Sequence, residues 1–174
     1  MNTESPPRVI AATTLVLGAL LGMAGTFVSS AQARSLAWGI DGALLVVGVA
    51  LLAVHHLRLG HELLAAGFLV FMAGETLIVS GSAMDLAASA PVFAAGAALW
   101  AGGMALTSAS PFHPLFVRAT GAIATVLFAV TAAQIFYGGS LTPLSKPLPF
   151  FAYPFLALTL FGWAATHLRN TGSQ

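Results

Sequence analysis

The chain has 174 residues, of which 58% are hydrophobic and only 6% are Asp, Glu, Lys or Arg, with a formal charge of +1. A soluble domain carries about 25% charged residues, so this composition leaves too little polar surface to face water and makes lipid the main solvent. The basic residues are scattered singly, which excludes a nucleic-acid footprint, and the absence of Cys excludes disulfides, thiolate metal sites and cysteine nucleophiles.

Six mostly apolar runs follow one another, over residues 9–30, 35–57, 62–81, 90–107, 116–138 and 149–168. Each is long enough to cross ~30 Å of hydrocarbon as a helix, and none alternates as a barrel strand must. The expected fold is all-α: one domain over residues 1–174, a polytopic bundle of six transmembrane helices in a lipid bilayer. The first run follows Arg8 and precedes Ala31-Gln32-Ala33, a cleavage-like tripeptide. A signal peptide has a shorter apolar core of about 7–15 residues, so the first span is expected to be retained. Gly18 and Gly22 in this span, and Gly67, Gly74 and Gly81 in the third, form stripes that let helix backbones approach closely.

The second and third spans, joined at Arg58 to His61, each enclose one carboxylate, Asp41 and Glu75. Counted from that corner at ~1.5 Å per residue, Asp41 lies ~26 Å away and Glu75 ~21 Å, in the same far third of a membrane. Ionisable groups at this depth are costly unless paired or neutralised, which makes the pair the main site candidate. By the same count Gln134 and Tyr153 lie ~24 Å from Arg118 and Arg169 respectively, and Thr131 lies one turn below Gln134. Asp41, Glu75, Gln134 and Tyr153 are therefore expected to line one polar pocket that binds a cation or passes protons, with Glu75 its leading member. Pro154, directly after Tyr153, is expected to kink the sixth helix. The connection over residues 138–149 is rich in turn formers and reads as a mobile loop or a lid.

All five histidines, His55, His56, His61, His113 and His167, fall near one membrane interface. The second span ends VHHLRLG and the sixth ATHLRNTG, an echo read here as two helix C-termini that each place His and Arg at the negative end of the helix dipole. His56 and His167 are the positions open to a haem or metal, although no motif calls for a cofactor. His61-Glu62 is not followed by the second His of a zinc-protease motif, since Ala65 stands there, and no nucleophile elbow or phosphate loop occurs. Nothing points to an enzyme.

With the N-terminus inside, Arg8, Arg58, Arg118 and Arg169 fall on the cytoplasmic side and only Arg34 and Lys146 outside, so both termini are expected to be cytoplasmic. The overall pattern resembles small bacterial inner-membrane proteins with six helices. Three functions fit these features: a proton- or cation-coupled transporter or channel around Glu75, a structural or accessory subunit of a membrane complex, and a haem or metal protein using His56 and His167. A homo-oligomer or a membrane-complex partner is compatible with the small-residue faces.

Overall fold

A computed structural model describes residues 6–169. Six helices follow in order: α1 (Pro6–Phe27), α2 (Ala31–Arg58), α3 (Glu62–Gly81), α4 (Ala90–Ala109), α5 (Leu115–Phe136) and α6 (Tyr153–Arg169), the last preceded by a 3-10 turn at Phe150–Ala152. With that turn counted into the sixth, all six are long and apolar enough to cross a membrane, and the protein is an integral membrane protein. Among the described residues each helix packs on the next in the chain, and α6 returns to α1, so the six close into a ring.

Several helix ends differ by one to three residues from those expected from hydropathy, and two starts, those of α2 and α6, differ by four. Helix α2 starts at Ala31, ahead of Arg34, because the Ser30 hydroxyl caps it by accepting from the Ala33 N–H at 3.4 Å. Helix α6 starts only at Tyr153, so Pro154 stands in its first turn, where a missing N–H breaks no bond. The kink expected at Pro154 is thereby replaced by a helix start.

The glycine stripes bring α3 and α4 together. A Cβ added at Gly74 would lie 2.7 Å from the Gly96 carbonyl oxygen, and one at Gly103 would lie 2.7 Å from that of Gly67. Backbone thus packs on backbone at two levels, as small residues permit between helices in lipid. This contact fixes Glu75, next to Gly74, against Trp100, one turn after Gly96.

Aromatic side chains fill the middle of the ring. Phe71 stacks on Trp100 at 5.8 Å between centroids, and Trp163 meets Phe71 and Phe68 edge-on at 5.4 Å and 5.0 Å. Phe68, Phe71 and Trp163 are each at most 1% exposed. This wall divides the interior into two compartments, one toward the long loop over residues 138–149 and one toward the histidines.

Candidate functional site: a carboxylate cavity and a histidine chain

The compartment at the long-loop end holds a cavity of about 670 Å³. Its lining is mainly apolar and aromatic, with Trp38, Phe93, Trp100 and Tyr153, and its mouth lies among the exposed residues Gln32, Met84 and Asp85. Asp41 stands in the wall. Its carboxyl packs against α1, where a Cβ at Gly22 would lie 2.5 Å from Oδ2, and Oδ1 is buried without a hydrogen-bond partner. The first glycine stripe therefore leaves room for a carboxyl group as well as for a backbone.

Glu75 lies just behind that wall and is 1% exposed. A Cβ at Gly42 would lie 2.9 Å from Oε1, so this glycine gives the side chain its berth between α2 and α3. The indole of Trp100 faces the carboxyl, yet Trp100 Nε1 and Glu75 Oε2 both lack a partner in hydrogen-bonding geometry. Asp41 and Glu75 are within electrostatic reach of each other, and Tyr153 is within reach of both. Among the described residues neither carboxylate has an ion pair or a hydrogen bond.

The other expected pocket members divide. Tyr153 lines the cavity and donates its hydroxyl to the Pro143 carbonyl at 2.8 Å, and Pro143 lines the cavity too. The connection over 138–149 is thus tied down beside the cavity, and Phe150, just after it, meets Phe27 at the end of the neighbouring α1 edge-on at 5.8 Å. Gln134 does not join the pocket: it is exposed and absent from the lining. Thr131 is buried but spends its hydroxyl on the Leu127 carbonyl. The inward stripe of α5 runs Val117, Gly121, Ala124, Phe128 and Thr131, and Gln134 falls off it.

The opposite compartment holds the histidines. They are no solvated interface group, since His56, His113 and His167 are 0%, 2% and 2% exposed. His56 Nε2 lies 2.8 Å from His167 Nε2, His56 Nδ1 lies 3.1 Å from His61 Nδ1, and His167 Nδ1 lies 2.7 Å from the Trp163 carbonyl oxygen. The turn between α2 and α3 makes this possible. Gly60, at φ +74°, lets the His61 N–H return to the His56 carbonyl at 2.9 Å and its own N–H reach the Leu57 carbonyl at 3.1 Å, a Schellman motif that folds His61 over His56. Phe112 caps the group edge-on to His56 at 4.7 Å. His113 lies beside His167 with both ring nitrogens buried and unpartnered. Burial, and secondarily His167, push its pKa down to about 3.

The two histidines singled out for a haem or metal do meet, but in direct contact. Two nitrogens each about 2.0–2.1 Å from one ion at tetrahedral angles stand about 3.3 Å apart or more, so a 2.8 Å separation is that of a hydrogen bond. Among the described residues no three His, Asp or Glu side chains are grouped to hold an ion. The sequence signal for the pair was the shared His-Leu-Arg of residues 56–58 and 167–169.

The fold and site together define an integral membrane protein: a six-helix ring with a carboxylate-walled cavity at one end and a buried histidine chain at the other. Compared with known protein families, curated proteins and solved structures, the chain matches none.

Proposed function

We propose that the protein is a proton-coupled membrane transporter in which Asp41 and Glu75 exchange protons for a cation taken into the cavity. The observation that carries this reading is the pairing of two carboxyls, each with a buried oxygen lacking a hydrogen-bond partner, one in the wall of an open cavity and one just behind it. Charged carboxylates in low dielectric need a counter-cation or a proton. Among the described residues no cation is offered to them, so protons take that place until a cation arrives.

A purely structural clamp fits less well, because a clamp needs a bonded carboxyl and Glu75 Oε2 has no partner. The roles also shift from those expected. Asp41, in the cavity wall, meets the solute, and the sealed Glu75 holds the second proton. A cavity of this volume suits a drug-sized solute. Its aromatic walls beside a carboxylate favour a cation with an apolar body. Arg34, also in the lining, does not compete for Asp41: it donates to the Val28 carbonyl at 3.3 Å and sits over the Trp38 ring at 5.7 Å.

In this reading both termini are cytoplasmic in a bacterial inner membrane, which reporter fusions at residues 60 (inside) and 142 (outside) check. The functional test is uptake of tetraphenylphosphonium into proteoliposomes under a pH gradient. Wild type is expected to accumulate the probe, Asp41→Asn to lose binding and uptake, and Glu75→Gln to bind without accumulating. Uptake and proton flux equal to those of protein-free liposomes would overturn the proposal in favour of an accessory subunit.

A further inference from the structure

The hydrogen-bond geometry fixes the direction of the histidine chain. A carbonyl oxygen only accepts, so His167 Nδ1 carries the hydrogen that meets the Trp163 oxygen at 2.7 Å. Neutral His167 then presents a bare Nε2, to which His56 Nε2–H donates at 2.8 Å. Neutral His56 in turn presents a bare Nδ1, to which His61 Nδ1–H donates at 3.1 Å. One acceptor-only oxygen thereby assigns the hydrogens on three rings. The last free lone pair is Nε2 of His61, and His61 is exposed.

We infer that His61, His56 and His167 form a single-port proton-transfer chain that carries one proton from the aqueous face at the histidine end into the bundle interior. A proton binds His61 Nε2. The His61 Nδ1 proton passes to His56 Nδ1, and the His56 Nε2 proton passes to His167 Nε2. His61 and His56 end neutral with their tautomers exchanged, and His167 ends as the imidazolium, still holding its Nδ1–H on the Trp163 carbonyl. Entry breaks an O–H bond of the hydrated proton and forms the His61 Nε2–H, and each ring-to-ring transfer breaks one N–H bond and forms one, with no change of oxidation state.

The surroundings favour transit over storage. His167 is 2% exposed, so an excess proton there is held away from water, and Arg8 on α1 and His55 on α2 are within electrostatic reach of it. His113 on the α4–α5 turn lies 5.9 Å from His167 between centroids, has no hydrogen bond to the chain, and stays neutral. From α3 the apolar Phe68 stacks on His56 at 5.6 Å, and Glu62, the next residue after His61, is exposed. The chain therefore opens to water at the exposed His61 and ends at the buried His167. This chain stands apart from the cavity and its carboxylates, and its test touches neither.

The test uses full-length protein in nanodiscs with ¹⁵N-labelled histidine. Expected are Nδ1–H tautomers for His61 and His167 and an Nε2–H tautomer for His56, with the buried ring N–H of His56 exchanging with water. In His61→Gln, whose amide can still donate to His56 Nδ1, that ring exchange is expected to slow by about tenfold or more while backbone amide exchange in α2 and α6 is unchanged. His113→Gln is expected to leave ring exchange unaltered. An Nδ1–H tautomer on His56, or ring exchange equal in wild type and His61→Gln, would overturn the inference. Were His61→Gln not to fold, the wild-type tautomers alone would decide it.

Discussion

The two ends of the bundle handle most of their buried polar atoms differently, His113 being the unbonded ring at the histidine end. At the histidine end a three-ring chain satisfies almost every nitrogen it buries and aromatic rings pack around it. At the carboxylate end Asp41 Oδ1, Glu75 Oε2 and Trp100 Nε1 are buried without partners next to about 670 Å³ of open space. A satisfied and packed network contributes to stability, whereas orphaned groups cost it, so they are expected where function requires them. The first end holds the ring closed across α2 and α6, and the second is shaped for something that arrives.

Substitutions that remove polar groups are therefore expected to act in opposite directions at the two ends. The largest loss is expected for His56→Leu, which leaves the buried Nε2 of His167 without a partner and lowers stability by about 2 kcal/mol in thermal unfolding of the detergent-solubilised protein. Gly60→Ala, at φ +74°, is expected to cost about 1 kcal/mol and to part His61 from His56. Glu75→Leu is expected to range from neutral to about 1 kcal/mol more stable, because it removes an orphaned oxygen, while any cation uptake is lost. A clear destabilisation by Glu75→Leu would put both ends in the same class.

At neutral pH the smallest effect is expected for His113→Leu, since His113 is the one ring of this group that is buried and unbonded. Its influence appears on acidification. The folded protein holds its pKa at about 3 while the unfolded chain titrates at the ordinary value of 6.5, so the unfolded state binds more protons between these limits. Stability from this residue falls as pH drops through that window, by up to ~1.4 kcal/mol per unit. A melting series from pH 7 to 4 is expected to show a shallower acid limb in His113→Leu than in wild type.

The six spans were legible because lipid imposes length and apolarity on every one of them, and the two largest misplacements, the starts of α2 and α6, came from Ser30 and from the 3-10 turn before Tyr153, both local hydrogen-bonding details. The shared depth of Asp41, Glu75 and Tyr153 was also legible, because helical rise converts residue number into height. Height does not give azimuth, which is why Gln134, counted to the right level, points out of the ring. The stripe of Val117, Gly121, Ala124 and Phe128 carried that azimuth and excludes Gln134. The histidine chain was legible only as a coincidence of level. Its construction needed the return of the chain at Gly60 and the meeting of α2 with α6 across the bundle, contacts that no local pattern encodes.

The exchange of protons for a cation at Asp41 and Glu75 is tested most directly by counting protons released when tetraphenylphosphonium binds the purified protein in weakly buffered detergent solution. Wild type is expected to release about one to two protons per cation bound, in keeping with two carboxyls that hold protons when no cation is present. Glu75→Gln is expected to release fewer, and Asp41→Asn to bind little and release none. Saturable binding to wild type with no proton release would contradict the exchange and leave the carboxylates without the role given to them.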